Sequence, residues 1–326
     1  MSSYSLKGAT ILITGGTGTF GSAFLEKCLN ENAGEIRIFS RDEKKQYDMA
    51  HKYREYRNVR FFLGDVRDKT TLRNPMHGVD FVFHAAAMKQ VPSCEDFPIE
   101  AVKTNIVGSQ NVLDCAIESG AKKVVCLSTD KAVYPTSAMG MTKAYMEKIA
   151  LQAAARQTGT EVVITRFGNL VASRGSAVPV FLEQAQNGLP ITITDPNMTR
   201  FMMTVSEAAD LVGTAFRAGL NGDLLVKAAK SCTTGDLASA VCRYLKLSAL
   251  YPKEIVGIRP GEKMHESLLT EEEAEAAFSA GDFTIVPMRR KITKEKIHEY
   301  RSDKAERMDE DQVLRMIESI FGEKQL

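Results

Sequence analysis

The sequence has no long hydrophobic run. Within its 326 residues, no stretch approaches the roughly 18 uncharged apolar residues of a membrane-spanning helix. Met1 to Gly8 lead almost directly into a short strand-like run, without the charged region and apolar core of a signal peptide. The 42 Lys and Arg against 41 Asp and Glu leave a net charge of +1, with no basic stripe of the kind that binds nucleic acid. We therefore expect a cytoplasmic protein that binds neither membranes nor nucleic acid.

The cysteines and histidines lack the spacing of a metal site. The six cysteines have no metal-like pair spacing, so they are interpreted as small buried hydrophobic residues rather than as disulfide partners or ligands. The five histidines are too dispersed for a metal site, and His84 is interpreted as a packing residue at a strand end. The sequence predicts no metal.

Short β-branched runs alternate with longer amphipathic stretches through the first 170 residues. The strand candidates are Thr10–Thr14, Ile36–Phe39, Arg60–Leu63, Phe81–His84, Lys123–Leu127 and Val162–Arg166. Since the lengths between them suit crossover helices, the pattern predicts an α/β fold with a doubly wound parallel sheet. Beyond Arg166 prolines separate shorter elements, so we expect a smaller C-terminal lobe, with a last helix over Glu310–Phe321.

A glycine-rich turn over Thr14–Gly21 follows the first predicted strand and opens a helix. Gly15 permits a tight turn, Gly18 lets the backbone approach a pyrophosphate, and Gly21 allows the helix to pack closely on the sheet. With a strand before it and a helix after it, this spacing predicts dinucleotide binding. The predicted cofactor contacts in the turn are Gly15, Thr17, Gly18, Thr19, Phe20 and Gly21.

The end of the second predicted strand lacks the acidic residue that holds the ribose 2′-hydroxyl in NAD-binding proteins. Ser40 and Arg41 stand there instead, followed by Lys44 and Lys45. Because a hydroxyl and a guanidinium can bind a 2′-phosphate, the pattern favours NADP, with Lys44 as a further contact. The alternative is that Arg41 and the lysines form a solvated surface cluster. Asp65-Val66, after the third strand, is predicted to lie at the adenine edge.

Further motifs are spread over nearly the whole chain. They are His84-Ala85-Ala86-Ala87, Asn105, Ser128-Thr129-Asp130-Lys131, Arg166-Phe167-Gly168-Asn169 and Arg259-Pro260-Gly261-Glu262-Lys263. Together with the glycine-rich turn they resemble extended short-chain dehydrogenases that act on nucleotide sugars. Three shorter segments, Ser40–Gln46, Lys89–Pro92 and Met198–Phe201, are similar to the bacterial UDP-N-acetylglucosamine 4,6-dehydratases of capsule, O-antigen and flagellar-sugar synthesis.

The resemblance implies a Rossmann domain that binds NADP over residues 1–170, to which later segments return, and a nucleotide-sugar lobe over 171–326. It implies hydride transfer from carbon 4 to carbon 6 of UDP-N-acetylglucosamine, giving a UDP-4-keto-6-deoxy-N-acetylhexosamine for surface polysaccharide or nonulosonic-acid synthesis. A homo-oligomer, a hexamer or a dimer, is implied as well. The further cofactor contacts that it implies are Ala85, Ala86, Ala87, Lys89, Asn105 and Lys143.

The family's Tyr-x-x-x-Lys pair is incomplete in this sequence. Methionine, which cannot titrate, stands at position 139, whereas Lys143 follows one helical turn later on the same face. Tyr145 does not restore the pair, because Ile149 and not lysine follows it by four residues. A methionine at this position also resembles a subset of the same dehydratases, so an enzyme is favoured and Met139 is predicted to shape the sugar pocket. The acceptor of the 4-hydroxyl proton stays open.

Loss of water requires an acid and a base beside the sugar, and Asp130 and Lys131 are the candidates. Asp130 must then keep its proton near pH 7 and Lys131 must lose its own, which burial would produce by raising one pKa and lowering the other. The resemblance assigns the same roles, and Thr129 could hydrogen-bond the 4-hydroxyl. The alternative is a local ion-pair network at a strand end.

Binding of a nucleotide diphosphate requires positively charged side chains that take no part in the chemical steps. Arg200 and Arg259 are the candidates for the pyrophosphate, because a guanidinium fork matches its oxygens. Glu262 is predicted to bind the uridine ribose, and Asn169 is predicted to bind a phosphate. Further substrate contacts are predicted at Lys89, Arg166, Arg174 and Val178. Each charged residue could instead be an ordinary surface charge.

Two other functions stay open. A carbon-4 epimerase of the same family would use the same cofactor and substrate, but it would need the tyrosine and would not need Asp130 and Lys131. A non-catalytic NADP-binding scaffold or sensor would fit the missing tyrosine, but it would leave Lys143 and the substrate arginines unexplained. The configuration at carbon 5 of the product is also open.

Overall fold

The computed structural model describes residues 4–156, 159–171, 173, 175–288 and 297–322. Within these ranges the strands are β1 (Thr10–Thr14), β2 (Glu35–Ser40), β3 (Val59–Leu63), β4 (Phe81–His84), β5 (Lys123–Leu127), β6 (Glu161–Arg166), β7 (Asn169–Leu170), β8 (Ile191–Ile193), β9 (Thr199–Met203), β10 (Asp223–Lys227), β11 (Ser231–Thr233), β12 (Lys253–Ile255), β13 (Ser267–Leu269), β14 (Phe278–Ala280), β15 (Phe283–Pro287) and β16 (Tyr300–Arg301).

The α-helices of the same ranges are α1 (Thr19–Asn30), α2 (Glu43–Lys52), α3 (Lys69–Met76), α4 (Val91–Asp96), α5 (Pro98–Ala101), α6 (Gly108–Glu118), α7 (Ala138–Ala155), α8 (Ala177–Gln186), α9 (Val205–Ala218), α10 (Thr234–Tyr244), α11 (Glu271–Ala276) and α12 (Glu310–Phe321). A π-helical turn lies at Val102–Val107 and a 3₁₀ turn at Asp130–Ala132. None of the described helices is long and apolar enough to cross a membrane.

The central sheet has nine strands in the order β14-β15-β10-β6-β5-β4-β1-β2-β3. The strands from β10 to β3 in this order are parallel, whereas β15 is antiparallel to β10 and β14 is antiparallel to β15. The middle strands β1, β4 and β5 are almost entirely buried, as in parallel sheets that helices cover on both faces. The predicted doubly wound parallel sheet is confirmed.

The predicted strands Thr10–Thr14, Phe81–His84 and Lys123–Leu127 have the observed bounds, and the other three are one residue longer at one or both ends. The last helix also has its predicted bounds, Glu310–Phe321, and its first turn is held by a capping box. Local sequence patterns therefore specify these elements well.

The strand order reverses between β1 and β4, because β2 lies on one side of β1 and β4 lies on the other. In open α/β sheets such a reversal leaves a crevice at the carboxyl ends of the strands, where ligands bind. The chain turns sharply there after β1: Gly15 has a φ of 67°, a left-handed conformation that glycine adopts without strain. The turn leads directly into α1, so the N-terminus of that helix faces the crevice.

A second hydrophobic core lies beside the central sheet. It is built by α8, α10 and α12, whose buried residues include Phe181, Val241 and Ile317. A three-stranded sheet, β11-β9-β7, and the pair β12-β8 complete this part of the chain. Since β10, β14 and β15 belong to the central sheet, the chain returns to that sheet after leaving it; the domain boundary at residue 170 stays a prediction.

The predicted substrate contact Arg166 is instead a buried structural residue. It is 3% exposed at the end of β6, and its guanidinium donates to both carboxylate oxygens of Glu147 on α7 and of Glu273 on α11, over 2.6 to 2.8 Å. The burial of Arg166 disfavours its charge, but the two carboxylates outweigh this and raise its pKa. Arg166 thus joins the helices to the sheet and lines neither of the two cavities at the carboxyl ends of the strands, which corrects its predicted role.

We expect Arg166→Leu to destabilise the protein by about 3–5 kcal/mol, because Glu147 and Glu273 would remain buried without their cation. Urea unfolding monitored by circular dichroism measures this loss. The control is Arg54→Leu, whose guanidinium pairs on the surface with Glu55 at 3.2 Å and whose loss should cost no more than about 0.5 kcal/mol. Equal effects of the two substitutions would contradict the structural role of Arg166.

Candidate active site

A cleft of about 680 Å³ opens at the carboxyl ends of β1, β4 and β5, and a second cavity of about 250 Å³ adjoins it. Lys131, Asn169, Arg259 and Glu262 line both spaces. The larger cleft is lined by every predicted cofactor contact except Lys44 and Asn105, and by the predicted catalytic residues except Asp130. The sequence-based assignments therefore converge on one place in the fold.

The glycine-rich turn packs so closely against neighbouring backbone that side chains would clash there. A Cβ atom at Gly15 would lie 2.8 Å from the backbone of Ala86, and one at Gly18 would lie 3.2 Å from the Gly15 carbonyl oxygen. No side chain caps α1 at Gly18, and no acidic residue lies in its first turn. The free N–H groups and the positive end of the helix dipole therefore face the cleft, as a bound pyrophosphate requires.

Ser40 and Arg41 lie at the far rim of the cleft, where β2 ends. The Ser40 hydroxyl accepts a hydrogen bond of 3.1 Å from Thr17. The side chain of Arg41 is 57% exposed, and its guanidinium is 3.8 Å from the Asp65 carboxylate. This loose ion pair leaves the guanidinium able to turn toward a ligand in the cleft.

Two predicted cofactor contacts lie elsewhere. Lys44 points into solvent with its side chain 84% exposed, and it pairs with Asp48 one turn along α2. Of the two adjacent lysines, Lys45 lines the cleft. Asn105 is completely buried. Its side-chain oxygen accepts a hydrogen bond of 2.8 Å from the Met88 N–H, and its side-chain nitrogen donates one of 3.0 Å to the Met88 carbonyl oxygen. Asn105 therefore holds the loop after β4 in place and does not contact the cleft.

A buried ion cluster lies where the two cavities meet. The Lys131 ammonium is 3.0 Å from Asp130 Oδ1, 3.3 Å from Glu266 Oε1 and 3.4 Å from Asn169 Oδ1. The other Glu266 oxygen is 3.0 Å from the Lys263 ammonium. Glu266 is a member of the site that the sequence analysis missed. Its position three residues after the Arg259–Lys263 motif is the sequence feature that could have indicated it.

The charges of this cluster set the protonation of Lys131. Burial disfavours its ammonium form, but the carboxylates of Asp130 and Glu266 outweigh that effect and raise the pKa of Lys131. The prediction that burial would lower this pKa is therefore wrong. Glu266 is ionised, since the cations Lys131, Arg200 and Lys263 lower its pKa to about 2 despite its burial. Burial raises the pKa of Asp130, in the predicted direction.

Asp130 lies behind the wall of the cleft rather than in it. Its side chain has no exposed surface, whereas the side chain of Lys131 is 22% exposed. Thr129 lines the cleft, and its hydroxyl donates to Asp130 Oδ1 at 2.8 Å. A ligand in the cleft therefore reaches Asp130 through Thr129 or Lys131, and not directly.

Met139 and Lys143 lie one turn apart on α7, and both line the cleft. The Lys143 ammonium donates to the Leu127 carbonyl oxygen at 2.5 Å, and burial lowers its pKa to about 8. Tyr145 is 59% exposed and does not line either cavity, so it does not replace the missing tyrosine.

The predicted substrate contacts separate into three groups. Arg200 and Val178 line the smaller cavity, and Arg259 and Glu262 line both spaces. Lys89 lines the larger cleft. Arg174 lies outside the described residues. The cations predicted to bind a pyrophosphate thus lie at the smaller cavity, next to the ion cluster.

Comparison with known proteins places the chain in a family. Residues 11–288 match a family described as polysaccharide biosynthesis proteins. The chain belongs to this family. It is 46% identical over 285 residues to a protein of Rickettsia typhi named UDP-glucose 4-epimerase, covering 86% of this chain and 83% of the relative.

Two solved structures have the same fold. The structure of Pen from Bacillus thuringiensis is 36% identical, with a TM-score of 0.92, over 97% of this chain and all of that one. DesIV, a dTDP-glucose 4,6-dehydratase from Streptomyces venezuelae, is 23% identical, with a TM-score of 0.71, over 78% of this chain and 86% of its own. This polysaccharide biosynthesis protein therefore has the fold of the extended short-chain nucleotide-sugar dehydratases and epimerases.

We expect Glu266→Gln to lower the pKa of Lys131, because the substitution removes one of the two negative charges that favour the ammonium. The pH dependence of Lys131 acylation by an amine-reactive reagent, followed by peptide mass spectrometry, measures this pKa. The control is Glu254→Gln on the exposed strand β12, which should leave the profile unchanged. An unchanged or raised pKa in Glu266→Gln would show that Asp130 alone sets the charge of Lys131.

Proposed function

We propose that the protein is an NADP-dependent UDP-N-acetylglucosamine 4,6-dehydratase, which makes a UDP-4-keto-6-deoxy-N-acetylhexosamine for surface polysaccharide or nonulosonic-acid synthesis. The observation that carries the proposal is the cluster of Asp130, Lys131 and Glu266 beside a cleft in which Met139 stands where a tyrosine is usual. Elimination of water needs proton transfer at carbons 5 and 6, and this cluster supplies it. Inversion at carbon 4 alone does not need such a cluster.

The cleft fits a dinucleotide. The glycine-rich turn and the N-terminus of α1 would hold the pyrophosphate, and Lys143 would hold the nicotinamide ribose. Ser40, Arg41 and Lys45 would meet a 2′-phosphate, which favours NADP, although DesIV was solved with NAD. Bound NADP would supply the hydride chemistry that links carbons 4 and 6 of the sugar.

The smaller cavity fits the nucleotide diphosphate of the substrate. Arg200 and Arg259 would bind the pyrophosphate as bidentate donors, and Glu262 would bind the ribose. Asn169 lines both spaces and would contact a phosphate. With the nucleotide diphosphate in the smaller cavity, the sugar would extend toward Lys131 and the larger cleft.

Lys131 is the member of the cluster that faces the sugar, so we assign both proton transfers at carbons 5 and 6 to it. Its ammonium protonates the departing 6-hydroxyl, and the resulting amine takes the carbon-5 proton, so that Lys131 ends the elimination as an ammonium again. Asp130, 3.0 Å behind it, exchanges protons with it. These roles differ from the sequence-based ones, in which Asp130 was the acid and Lys131 only the base.

A UDP-sugar 4-epimerase is the second candidate, because the relatives from several Rickettsia species carry the name UDP-glucose 4-epimerase. An epimerase would share the first oxidation, but it would return the hydride to carbon 4 and release no water. Incubation of the purified protein with UDP-N-acetylglucosamine separates the two by mass spectrometry. The dehydratase product is lighter by one water, whereas an epimer has the mass of the substrate and would refute the proposal.

Lys131→Ala should abolish water loss but still permit oxidation at carbon 4. In a single turnover, reduced nicotinamide should accumulate, seen by its near-ultraviolet absorbance, while no dehydrated sugar forms. Lys52→Ala, which removes an exposed ammonium paired with Glu26, is the control and should behave as the unsubstituted protein does. Near-normal dehydration in Lys131→Ala would make the ion cluster structural, with Lys143 the next candidate for the base.

Arg41→Ala should weaken NADP binding roughly 10- to 100-fold and NAD binding little, because only the 2′-phosphate meets this guanidinium. Calorimetric titration with each cofactor measures the two affinities. Lys44→Ala, whose ammonium faces Asp48, is the matched control and should change neither. An equal loss for both cofactors would remove the basis for preferring NADP.

A further inference from the structure

The motif Arg259-Pro260-Gly261-Glu262-Lys263 forms a tight turn whose ends face the two cavities. The Glu262 N–H donates to the Arg259 carbonyl oxygen over 3.1 Å, and Gly261 has a φ of 80°. A proline in the second place and a left-handed glycine in the third are typical of a type II turn. Because the first and fourth residues of such a turn lie side by side, Arg259 and Glu262 both line the two cavities.

Lys263, the last residue of the motif, lines neither of the two cavities. Its ammonium donates to the Val133 carbonyl oxygen over 2.8 Å and lies 3.0 Å from Glu266 Oε2. Val133 directly follows the 3₁₀ turn Asp130–Ala132, which contains Lys131. The Lys263 side chain is only 15% exposed. Lys263 therefore binds groups of the protein itself and joins its own segment to the turn that carries Lys131.

Gly261 makes a second contact between the motif and the segment after β5. Its carbonyl oxygen accepts a hydrogen bond of 3.0 Å from the Thr136 hydroxyl. A Cβ atom at Gly261 would lie 2.9 Å from Ser137 Cβ and 3.2 Å from Glu95 Oε1. Ser137 is the N-cap residue of α7. Glycine is needed here both for its left-handed conformation and for this close approach to α7.

We propose that Lys263 is a positioning residue, which docks the motif on the segment after β5 and thereby holds Arg259 and Glu262 at the cavities. The inference rests on the proposed binding of a nucleotide diphosphate by these two residues. Without the Lys263 ammonium, the buried Val133 carbonyl would lose its donor and Glu266 Oε2 would lose a cation. The motif would then gain freedom that ligand binding has to remove, and the affinity would fall.

The Lys263 ammonium already has a carboxylate partner in the protein. Burial disfavours the Glu266 carboxylate, but three cations, Lys263 among them, outweigh this effect and lower the pKa of Glu266 to about 2. The other oxygen of this carboxylate, Oε1, is 3.3 Å from the Lys131 ammonium. A phosphate that bound Lys263 would have to displace the ionised carboxylate. The effect of Lys263 on ligand binding is therefore indirect, through the placement of Arg259 and Glu262.

Lys263→Met tests the docking in the complete protein. Methionine keeps most of the side-chain length but removes the charge and the donors, so UDP affinity should fall roughly tenfold or more, while NADP affinity should stay within about threefold. Calorimetric titration with each ligand measures both affinities. Lys122→Met, which removes an exposed ammonium paired with Asp80, is the control and should change neither. Unchanged UDP affinity in Lys263→Met, or an equal loss for both ligands, would overturn the positioning role.

Gly261→Ala and Gly257→Ala form a matched pair for the second contact. The two glycines have φ values of 80° and 83°, so alanine brings similar backbone strain at either position. A new Cβ meets Ser137 at Gly261, whereas no described residue lies within 4 Å of one at Gly257. Gly261→Ala should therefore weaken UDP binding roughly tenfold, and Gly257→Ala should change it little. Equal effects of the two substitutions would contradict the docking.

A further measurement needs no ligand. In Lys263→Met, hydrogen–deuterium exchange followed by mass spectrometry should be faster in the peptide over residues 259–266, because this segment loses its anchor, and unchanged in the peptide over α1. An unchanged exchange rate over 259–266 would refute the docking. If the unsubstituted protein failed to bind UDP, the proposed function would be refuted instead, and the exchange rates would still decide whether Lys263 docks the motif.

Discussion

The carboxyl ends of the parallel strands meet at one edge of the central sheet, and the whole site depends on that constraint. The turn after β1 places the N-terminus of α1 at the cleft, the end of β2 carries Ser40 and Arg41, and the end of β5 leads into Thr129–Lys131. Segments far apart in sequence are thereby placed around one cleft. The strand reversal beside β1 keeps this cleft free of a crossover helix.

The ion cluster connects this edge to the segment that precedes β13. A buried cation is costly unless carboxylates and hydrogen bonds compensate it, and Lys131 has one carboxylate from the end of β5 and one from Glu266. Glu266 is held in turn by its backbone N–H, which donates to Ser302, and by Lys263. The segment that carries Glu266 therefore lines the smaller cavity and also sets the charge of Lys131. In the proposed reaction, substrate binding and proton transfer would depend on the same contacts.

Much of the fold and the cofactor end of the site could be predicted from sequence, because those signals are local. The β-branched runs gave strand bounds within one residue, and Gly15 and Gly18 lie in the predicted turn. The sequence could not show which of Lys44 and Lys45 faces the cleft, because they are adjacent residues of α2 and only Lys45 faces it. Cytoplasmic location and a homo-oligomeric state stay predictions.

The errors at the catalytic end have a common cause in contacts between distant parts of the chain. Arg166 belongs to a recognisable motif, but its partners Glu147 and Glu273 lie on helices that only the folded chain brings together. The pKa of Lys131 is raised and not lowered because two carboxylates, Asp130 and the sequence-distant Glu266, lie beside its ammonium. Burial alone gives the opposite sign for Lys131, so its charge state could be assigned only from the folded structure.

In the proposed reaction, one site moves a hydride from carbon 4 to carbon 6 and removes water between the two transfers. The most direct test uses UDP-N-acetylglucosamine with deuterium at carbon 4, followed by mass spectrometry and NMR of the product. We expect a 4-keto sugar that is lighter by one water and carries the deuterium at carbon 6. A hexosamine of unchanged mass with deuterium still at carbon 4 and inverted configuration there would contradict it.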